Sequence, residues 1–495
     1  MKSKFFLYCT LYVISINCQS IETHNEISND FNVQTKNFIS NTNENSLLDT
    51  SLISQTQNAT YITINGSTYL VPHTEHDLRL AIYHAINANL WGDLSELIEI
   101  YQTLPNHQKQ LVYMAQGLLE RSRGYINKAL THMQRAYDIN KEDLRVQLEL
   151  ARLYFEDYNN RQSKKIFNSL AQSYELPNYT KGLINEYQSA INSQYKWQGN
   201  IGLSIGYDSN INQGNGIRQC VFNFMDTCVI YRNLPPPIGS SYLGLNFDLS
   251  KRYALSDNND LEISARFQGA KYSKTDSKAL FLTDYSNFSS SAKISYIYRD
   301  SVKKIMLYPE FEILHKNKST YYQSPSINLN TEIQLSRRLN LNSNFSFKWI
   351  NYEGENKKYF EDYKQVNVGL GLVFEPSKNT FLYTNFDFYR NLYLTNYSSS
   401  KEQSIRIGAY KYLSSGVYLH ALAMYRDTKN DVANFLSIEP RHDNTKIAIL
   451  SIGLPKISFK GVVPELRFKY IQNKSNIDFY IYTQREISLN LNYSF

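Results

Sequence analysis

Two periodicities divide the chain. From about Trp197 to Phe495 apolar residues fall on every second position, the spacing of a strand with one apolar and one polar face. Leu243, Leu245, Phe247 and Leu249 alternate in this way, as do Val366, Val368, Leu370, Leu372 and Phe374. The longest run is Leu339, Leu341, Ser343, Phe345, Phe347 and Trp349, with Asn340, Asn342, Asn344, Ser346 and Lys348 between them. Fourteen strands fit, the first near 197–207 and the last near 482–495. Their connections alternate: Arg337–Arg338 and Ser414–Ser415 are short, whereas Asp208–Ser240, Ser273–Tyr285 and Asp427–Pro440 are long. This pattern predicts a transmembrane antiparallel β-barrel over 196–495, with short turns on the periplasmic side and long loops outside. An even strand number returns both ends of the barrel to the periplasm. In the last strand Ile487, Leu489, Leu491, Tyr493 and Phe495 alternate with Ser488, Asn490, Asn492 and Ser494. An aromatic-ended strand of this kind resembles the signal read by barrel-assembly machinery, so these five residues are the candidate assembly signal.

From Glu75 to Tyr195 the period becomes that of a helix. Seven helices fit, near 76–91, 93–104, 107–122, 125–139, 143–156, 160–174 and 178–195. Gly117, Gly124, Ala129 and Ala136 fall on positions 8, 15, 20 and 27 of a tetratricopeptide (TPR) unit, and 34 residues later come Ala151, Tyr158, Ser163 and Leu170. Small residues at 117/151 and 129/163 allow the two helices of a unit to pack closely, and Tyr154 occupies the position where an aromatic is usual. A degenerate earlier unit has Trp91-Gly92-Asp93-Leu94 at its turn. The expected fold is therefore an α+β multidomain chain, an all-α TPR-like domain at 75–195 followed by the barrel. An unrelated helical bundle is the alternative. Stacked helix pairs create a groove, and Lys109, Tyr113 and Arg145 on the first helices are candidates to line it.

The N-terminus changes the compartment. Lys2 and Lys4 precede an apolar run from Phe5 to Ile16, too short to span a bilayer, so residues 1–20 read as a secretory signal cleaved after Ser20. Lipid modification at Cys18 is the rival. Residues 21–74 are rich in Asn, Ser and Thr and are expected to be disordered, with Thr60 to Ile64 able to form a short strand. The 41 Tyr and 25 Phe suit the aromatic girdles of a barrel in outer-membrane lipid. Only 42% of residues are hydrophobic, which fits strands that meet lipid with alternate residues, although a soluble Tyr-rich β protein shares it. The net charge of +7 is spread thinly, so nucleic acid is not an expected partner. Once Cys9 and Cys18 leave with the signal, Cys220 and Cys228 remain, and in an oxidising compartment they are expected to form a disulfide rather than two free thiols.

No catalytic constellation emerges, and no cofactor, metal site or enzymatic activity is expected. The barrel histidines are His315, His420 and His442, with no Gly-x-Ser-x-Gly elbow and no metal-spaced cluster. His420 falls on the inward face between Leu419 and Ala421, where it reads as a lumen-lining group. Asp208 and Asn210 end the first strand. They could hold a cation or form a turn through their side chains, and the turn is preferred because one Asp is a thin oxygen supply for calcium.

A signal, a disordered lead, a small TPR domain and then Trp197-Gln198-Gly199 and Gly206-Tyr207-Asp208-Ser209-Asn210-Ile211-Asn212 opening a fourteen-strand barrel resembles the surface lipoprotein assembly modifiers. The resemblance covers roughly residues 75–495. It implies a translocator that delivers client surface lipoproteins, or related secreted haem-binding proteins, across the outer membrane. It carries over no client-binding residues. Two other classes stay open, a TPR-barrel exopolysaccharide export porin and an adhesin-like porin with loop Asp208–Ser240 as its ligand-binding part.

Overall fold

A computed structural model of the chain describes residues 60–64, 67–172, 176–225, 227–275, 284–394, 398–433 and 439–495. The expected signal at 1–20 and residues 21–59 lie outside this set. The described chain opens on a hairpin, β1 (Tyr61–Ile64) paired antiparallel with β2 (Ser67–Leu70). Ile62 and Val71 are buried and join the helical core, so order begins before the first helix.

Seven helices follow: α1 (Glu75–Asn87), α2 (Trp91–Thr103), α3 (Lys109–Arg123), α4 (Ile126–Ile139), α5 (Leu144–Glu156), α6 (Asn160–Ala171) and α7 (Asn178–Gln194). Side chains cap their starts where the sequence supplies a short acceptor. Thr74 accepts from the Asp77 amide, Asp143 from the Arg145 and Val146 amides, and Asn159 from the Gln162 amide. One core runs through α1–α5, with Leu78, Ile82, Leu94, Leu97, Met114, Met133 and Leu150 inaccessible to solvent or nearly so. A second, around Phe155, Phe167, Leu170, Ile184 and Tyr187, joins α5, α6 and α7.

The small residues of the repeat sit where the helices touch. A Cβ on Gly117 would lie 3.2 Å from the Ala129 carbonyl oxygen, so α3 and α4 meet backbone to backbone there. Ala129, Ala136, Ala151 and Ser163 are fully buried, and the Ser163 hydroxyl donates to the Ala151 carbonyl at 2.9 Å. Tyr154 packs half-buried and donates to Gln134 at 3.1 Å.

The remainder is a closed antiparallel barrel of fourteen strands: β3 (Gln198–Asp208), β6 (Ser240–Ser256), β7 (Asn259–Tyr272), β8 (Asn287–Arg299), β9 (Lys303–Lys316), β10 (Ser319–Ser336), β11 (Leu339–Tyr352), β12 (Tyr363–Ser377), β13 (Thr380–Tyr393), β14 (Ser400–Tyr412), β15 (Tyr418–Asn430), β16 (His442–Gly453), β17 (Val462–Ser475) and β18 (Tyr482–Ser494). The last strand closes on the first, with Ile487 opposite Tyr207 and Leu491 opposite Leu203. Burial alternates along most of the strands because successive side chains point to opposite faces. Outward Leu203 and Leu243 are 54% and 63% exposed, while inward Ser204 and Asn246 are 6% and 4%. Strands of 11 to 18 residues exceed the roughly 9–11 needed to cross the hydrocarbon core. The surplus forms the rims.

The short connections, at 257–258, 300–302, 337–338, 378–379, 413–417 and 454–461, share the rim that carries the helices. At the opposite rim one connection is shorter than the alternation of the sequence implies. Strands β9 and β10 run on to a two-residue turn at Asn317 and Lys318, whose φ angles of 53° and 64° match the turn that joins twisted strands most tightly. The longest connection, between β3 and β6, contains its own hairpin, β4 (Arg218–Phe224) with β5 (Thr227–Asn233). Cys220 and Cys228 are disulfide-bonded across it, with Cα atoms 5.8 Å apart.

Candidate functional site: repeats docked beneath the barrel

Three inter-helix turns of the helical domain are copies of one another. Each places a residue in the left-handed region: Asn89 (φ 58°), Gly124 (φ 87°) and Tyr158 (φ 59°). Each is closed by the same pair of backbone bonds: Asn89 to Ile86 and Leu90 to Ala85, Gly124 to Arg121 and Tyr125 to Glu120, Tyr158 to Phe155 and Asn159 to Tyr154. This is a helix terminus built on a left-handed residue and repeated once per unit. Gly adopts that conformation freely, whereas Tyr158 is held there against its own preference.

The second and third of these turns land on the barrel. The Arg337 guanidinium, from the β10–β11 turn, donates to the Ser122 carbonyl and lies against Gly124. One unit later, Asn258 of the β6–β7 turn donates to the Asp157 carbonyl at 2.5 Å, and the Ser301 amide of the β8–β9 turn donates to Asp157 Oδ1 at 3.1 Å. The Arg299 guanidinium stands 3.2 Å from the centre of the Tyr158 ring, a geometry that favours a cation over an aromatic face. Gln162 donates to Asp257 at 3.1 Å and Tyr195 to Asp260 at 3.3 Å. Asp157 is 8% exposed. Burial pushes its carboxyl above the usual carboxylate range, and the donors from Ser301 and Asn258 offset part of that rise.

Of the three groove candidates, Lys109 is exposed. Tyr113 packs against His132 and Arg135 of its own helix pair, and Arg145 bridges to α1, donating to Asn87 at 2.9 Å with its guanidinium 5.6 Å from the Tyr83 ring. A polar network ties the first helices together: Arg121 pairs with Glu156, Arg152 with Glu149 at 3.1 Å, and Arg152 donates to Tyr187 at 3.2 Å. Among the docking residues, Asp157, Asn258, Arg299 and Arg337 carry no signal of composition or motif. The usable signal was the phase of Tyr158, one repeat after Gly124.

Inside the barrel, His420 is buried and shares a hydrogen bond with the Tyr383 hydroxyl at 2.7 Å, beside Tyr418, which donates to Glu465 at 2.6 Å. Asp208 and Asn210 knot the base of the first long loop to the last strand. The Asn210 amide donates to Asp208 Oδ1 at 2.9 Å, Gln484 donates to Asp208 Oδ2 at 2.5 Å, and the Asn210 side chain donates to the carbonyls of Gly214 and Thr483. Among the described residues no group of three His, Cys, Asp or Glu side chains is placed to hold a metal. Ile487, Leu489, Leu491 and Tyr493 face outward from β18, 39–45% exposed. Phe495 extends the pairing, exchanging two backbone bonds with Gly199, and its ring covers that glycine so closely that a Cβ there would sit 2.4 Å from it.

A closed fourteen-strand barrel with an outward apolar band, carrying stacked helix pairs on its short-turn rim, defines an outer-membrane barrel protein of the repeat-bearing class. Residues 197–495 match the family model described as surface lipoprotein assembly modifier, and residues 65–167 match that of its N-terminal TPR repeats. The chain belongs to the surface lipoprotein assembly modifier family, a family of assembly modifiers at the outer membrane. It is similar to the "Hemophilin secretion modulator" of Acinetobacter baumannii, 24% identical over 90% of each chain. "Surface lipoprotein assembly modifier 1" of Haemophilus influenzae is 22% identical over 81% of this chain and 80% of that one. Among solved structures, OmpT of Vibrio cholerae overlays with a TM-score of 0.36 at 7% identity, covering 61% of this chain and 97% of that one, and no functional weight rests on it.

Proposed function

We propose that the chain carries a surface lipoprotein, or a related secreted haem-acquisition protein, across the outer membrane. In this reading the helical domain faces the periplasm and receives the client, the barrel is the route, and Ile487, Leu489, Leu491, Tyr493 and Phe495 present the barrel to its assembly machinery. The observation that carries the reading is the docking of two successive repeat turns on successive barrel turns. A receptor fixed beneath a pore raises the client's effective concentration at the entrance, and a receptor on a loose tether does so far less. The names of the Acinetobacter and Haemophilus relatives, which refer to hemophilin secretion and lipoprotein assembly, support the same cargo class.

The test uses lipoproteins that lose surface exposure to added protease when the gene is deleted. Deleting residues 75–195, with the barrel still heat-modifiable in outer-membrane fractions, is expected to abolish their display. Display at the parental rate would assign the repeats a structural role instead.

A further inference from the structure

The interior of the barrel presents two different walls. On β15 through β18 the inward residues from Tyr418 to Arg426, Asp443 to Gly453, Val463 to Asn473 and Tyr482 to Asn492 are all buried. An apolar layer of Leu422, Met424, Ile447, Ile449 and Ile471 lies there beside charges already matched, Arg467 with Glu465 at 2.9 Å and Lys469 with Glu486. A wall whose charges are neutralised in place offers little to a passing chain.

Directly across the barrel, inward side chains of β7, β10 and β11 are partly exposed from mid-strand towards the helical domain, and those of β8 and β9 only at mid-strand; nearer the helices Ser295, Ile297 and Arg299 of β8 and Lys304, Met306 and Tyr308 of β9 are buried. Ser264, Ser291, Lys293, Glu310, Asn330 and Asn342 all reach solvent. Towards the far rim this wall closes again. Lys348 donates to Glu312 Oε2 at 2.9 Å and Ser289 to Glu312 Oε1 at 2.8 Å, and beyond them Tyr322, Tyr352 and Tyr363 form a buried layer with Leu314 and Ile350. The open part is thus a mid-barrel vestibule that continues to the helical-domain rim along β7 and along β10–β11. These openings lie above the helical domain, because turns that hold the repeats join the same strands: 257–258 between β6 and β7, and 337–338 between β10 and β11.

We propose that an extended polypeptide segment of the cargo enters the barrel along this β7–β11 wall, and that the Glu312–Lys348 pair with the tyrosine layer behind it is the closure the segment displaces. The inference rests on the translocator reading above. The lining chemistry fits such an occupant. Ser hydroxyls and Asn amides both donate and accept, so they satisfy backbone groups of any sequence, and Lys293 and Glu310 accommodate either sign of charge. Continuity with the docked repeats brings a client to this wall before any other.

The test uses the purified full-length protein in planar lipid bilayers. Single cysteines are placed on the open wall (Ser291→Cys, Asn342→Cys) and on the closed wall (Ser451→Cys, Ser488→Cys), and heat-modifiable mobility confirms that each is folded. A membrane-impermeant thiosulfonate added from the helical-domain side is expected to modify the first pair about ten-fold faster than the second, since reagent access governs thiol reactivity. An unstructured Gly/Ser/Asn-rich polypeptide, added as the probe, is expected to slow modification at Asn342→Cys severalfold. Glu312→Gln is expected to raise ion conductance. Equal modification of the two walls overturns the proposal, as does a polypeptide that protects neither. If protection fails while deletion of the gene still removes lipoproteins from the surface, the vestibule is refuted and the translocator reading stands.

Discussion

Gly117 and His132 show how little room separates α3 from α4. Any side chain at 117 points at the Ala129 carbonyl and at Met133, both within 3.4 Å of where its Cβ would be. Gly117→Leu must push the helices apart, and overpacking of this kind costs about 1–3 kcal/mol. The expected result is an earlier loss of helical far-UV signal on heating while the barrel's heat-modifiability is unchanged. His132 contributes a pH dependence. Burial first, and the nearby Arg135 second, hold its imidazole below the ordinary value of 6.5. The folded domain therefore takes up the His132 proton at lower pH than the unfolded chain, which takes it up as the pH falls through 6.5. Stability that is full above that value drains away below it. Thermal unfolding of the helical part followed between pH 7.5 and 5.5 is expected to shift downward, and His132→Gln to flatten the shift.

At the scale of the element, the closing strand carries the clearest expectation. Phe495 adds the last backbone pair of the seam with Gly199 and stacks its ring 6.1 Å from Tyr493. Phe495→Ser keeps the backbone pair and removes the aromatic end. If that end is read during assembly, outer-membrane fractions will hold less folded, heat-modifiable protein than the parent, and equal amounts would dismiss the assignment. The strands themselves were legible in the sequence because lipid and lumen impose opposite chemistries on alternate residues, so register is written into each run such as Leu339 to Trp349. The helices were legible from spacing, with their ends displaced by up to four residues where Asn89 and Gly124 stop them. Less could be read where no face is exposed to a uniform solvent. The β4–β5 hairpin sits inside a long loop, and the tight turn at Asn317–Lys318 carries no Gly to announce it. The docking residues Asp157, Asn258, Arg299 and Arg337 are ordinary turn residues until two domains bring them together.

For the whole molecule, the junction between domains decides whether the two halves act as one body. Asp157 is its central acceptor. Asp157→Asn retains an oxygen for the Ser301 amide and removes the cost of a buried charge, so docking is expected to persist. Asp157→Leu leaves that amide without its acceptor, at about 1–3 kcal/mol, and is expected to speed proteolytic cutting between the helices and the barrel near Lys196. Equal cutting of both variants would show that the other contacts hold the junction alone. The sign of the pH effect follows from the raised Asp157 pKa. The docked state favours the protonated carboxyl, so this residue's contribution grows as the pH falls towards its ordinary 3.8 and shrinks as the pH rises. The spacing of the docked turns has a further consequence. Packed helices stand roughly 8–10 Å apart. Two barrel strands, about 4.8 Å apart and tilted by about 40°, take up roughly 12 Å of rim. The step of the repeat and the step of the strand hairpin are therefore of similar size. Lengthening or shortening the stack by one unit would turn its free end around the circumference by about one hairpin without breaking a contact at the other end, so the angular aim of the receptor is a quantity evolution can adjust by counting.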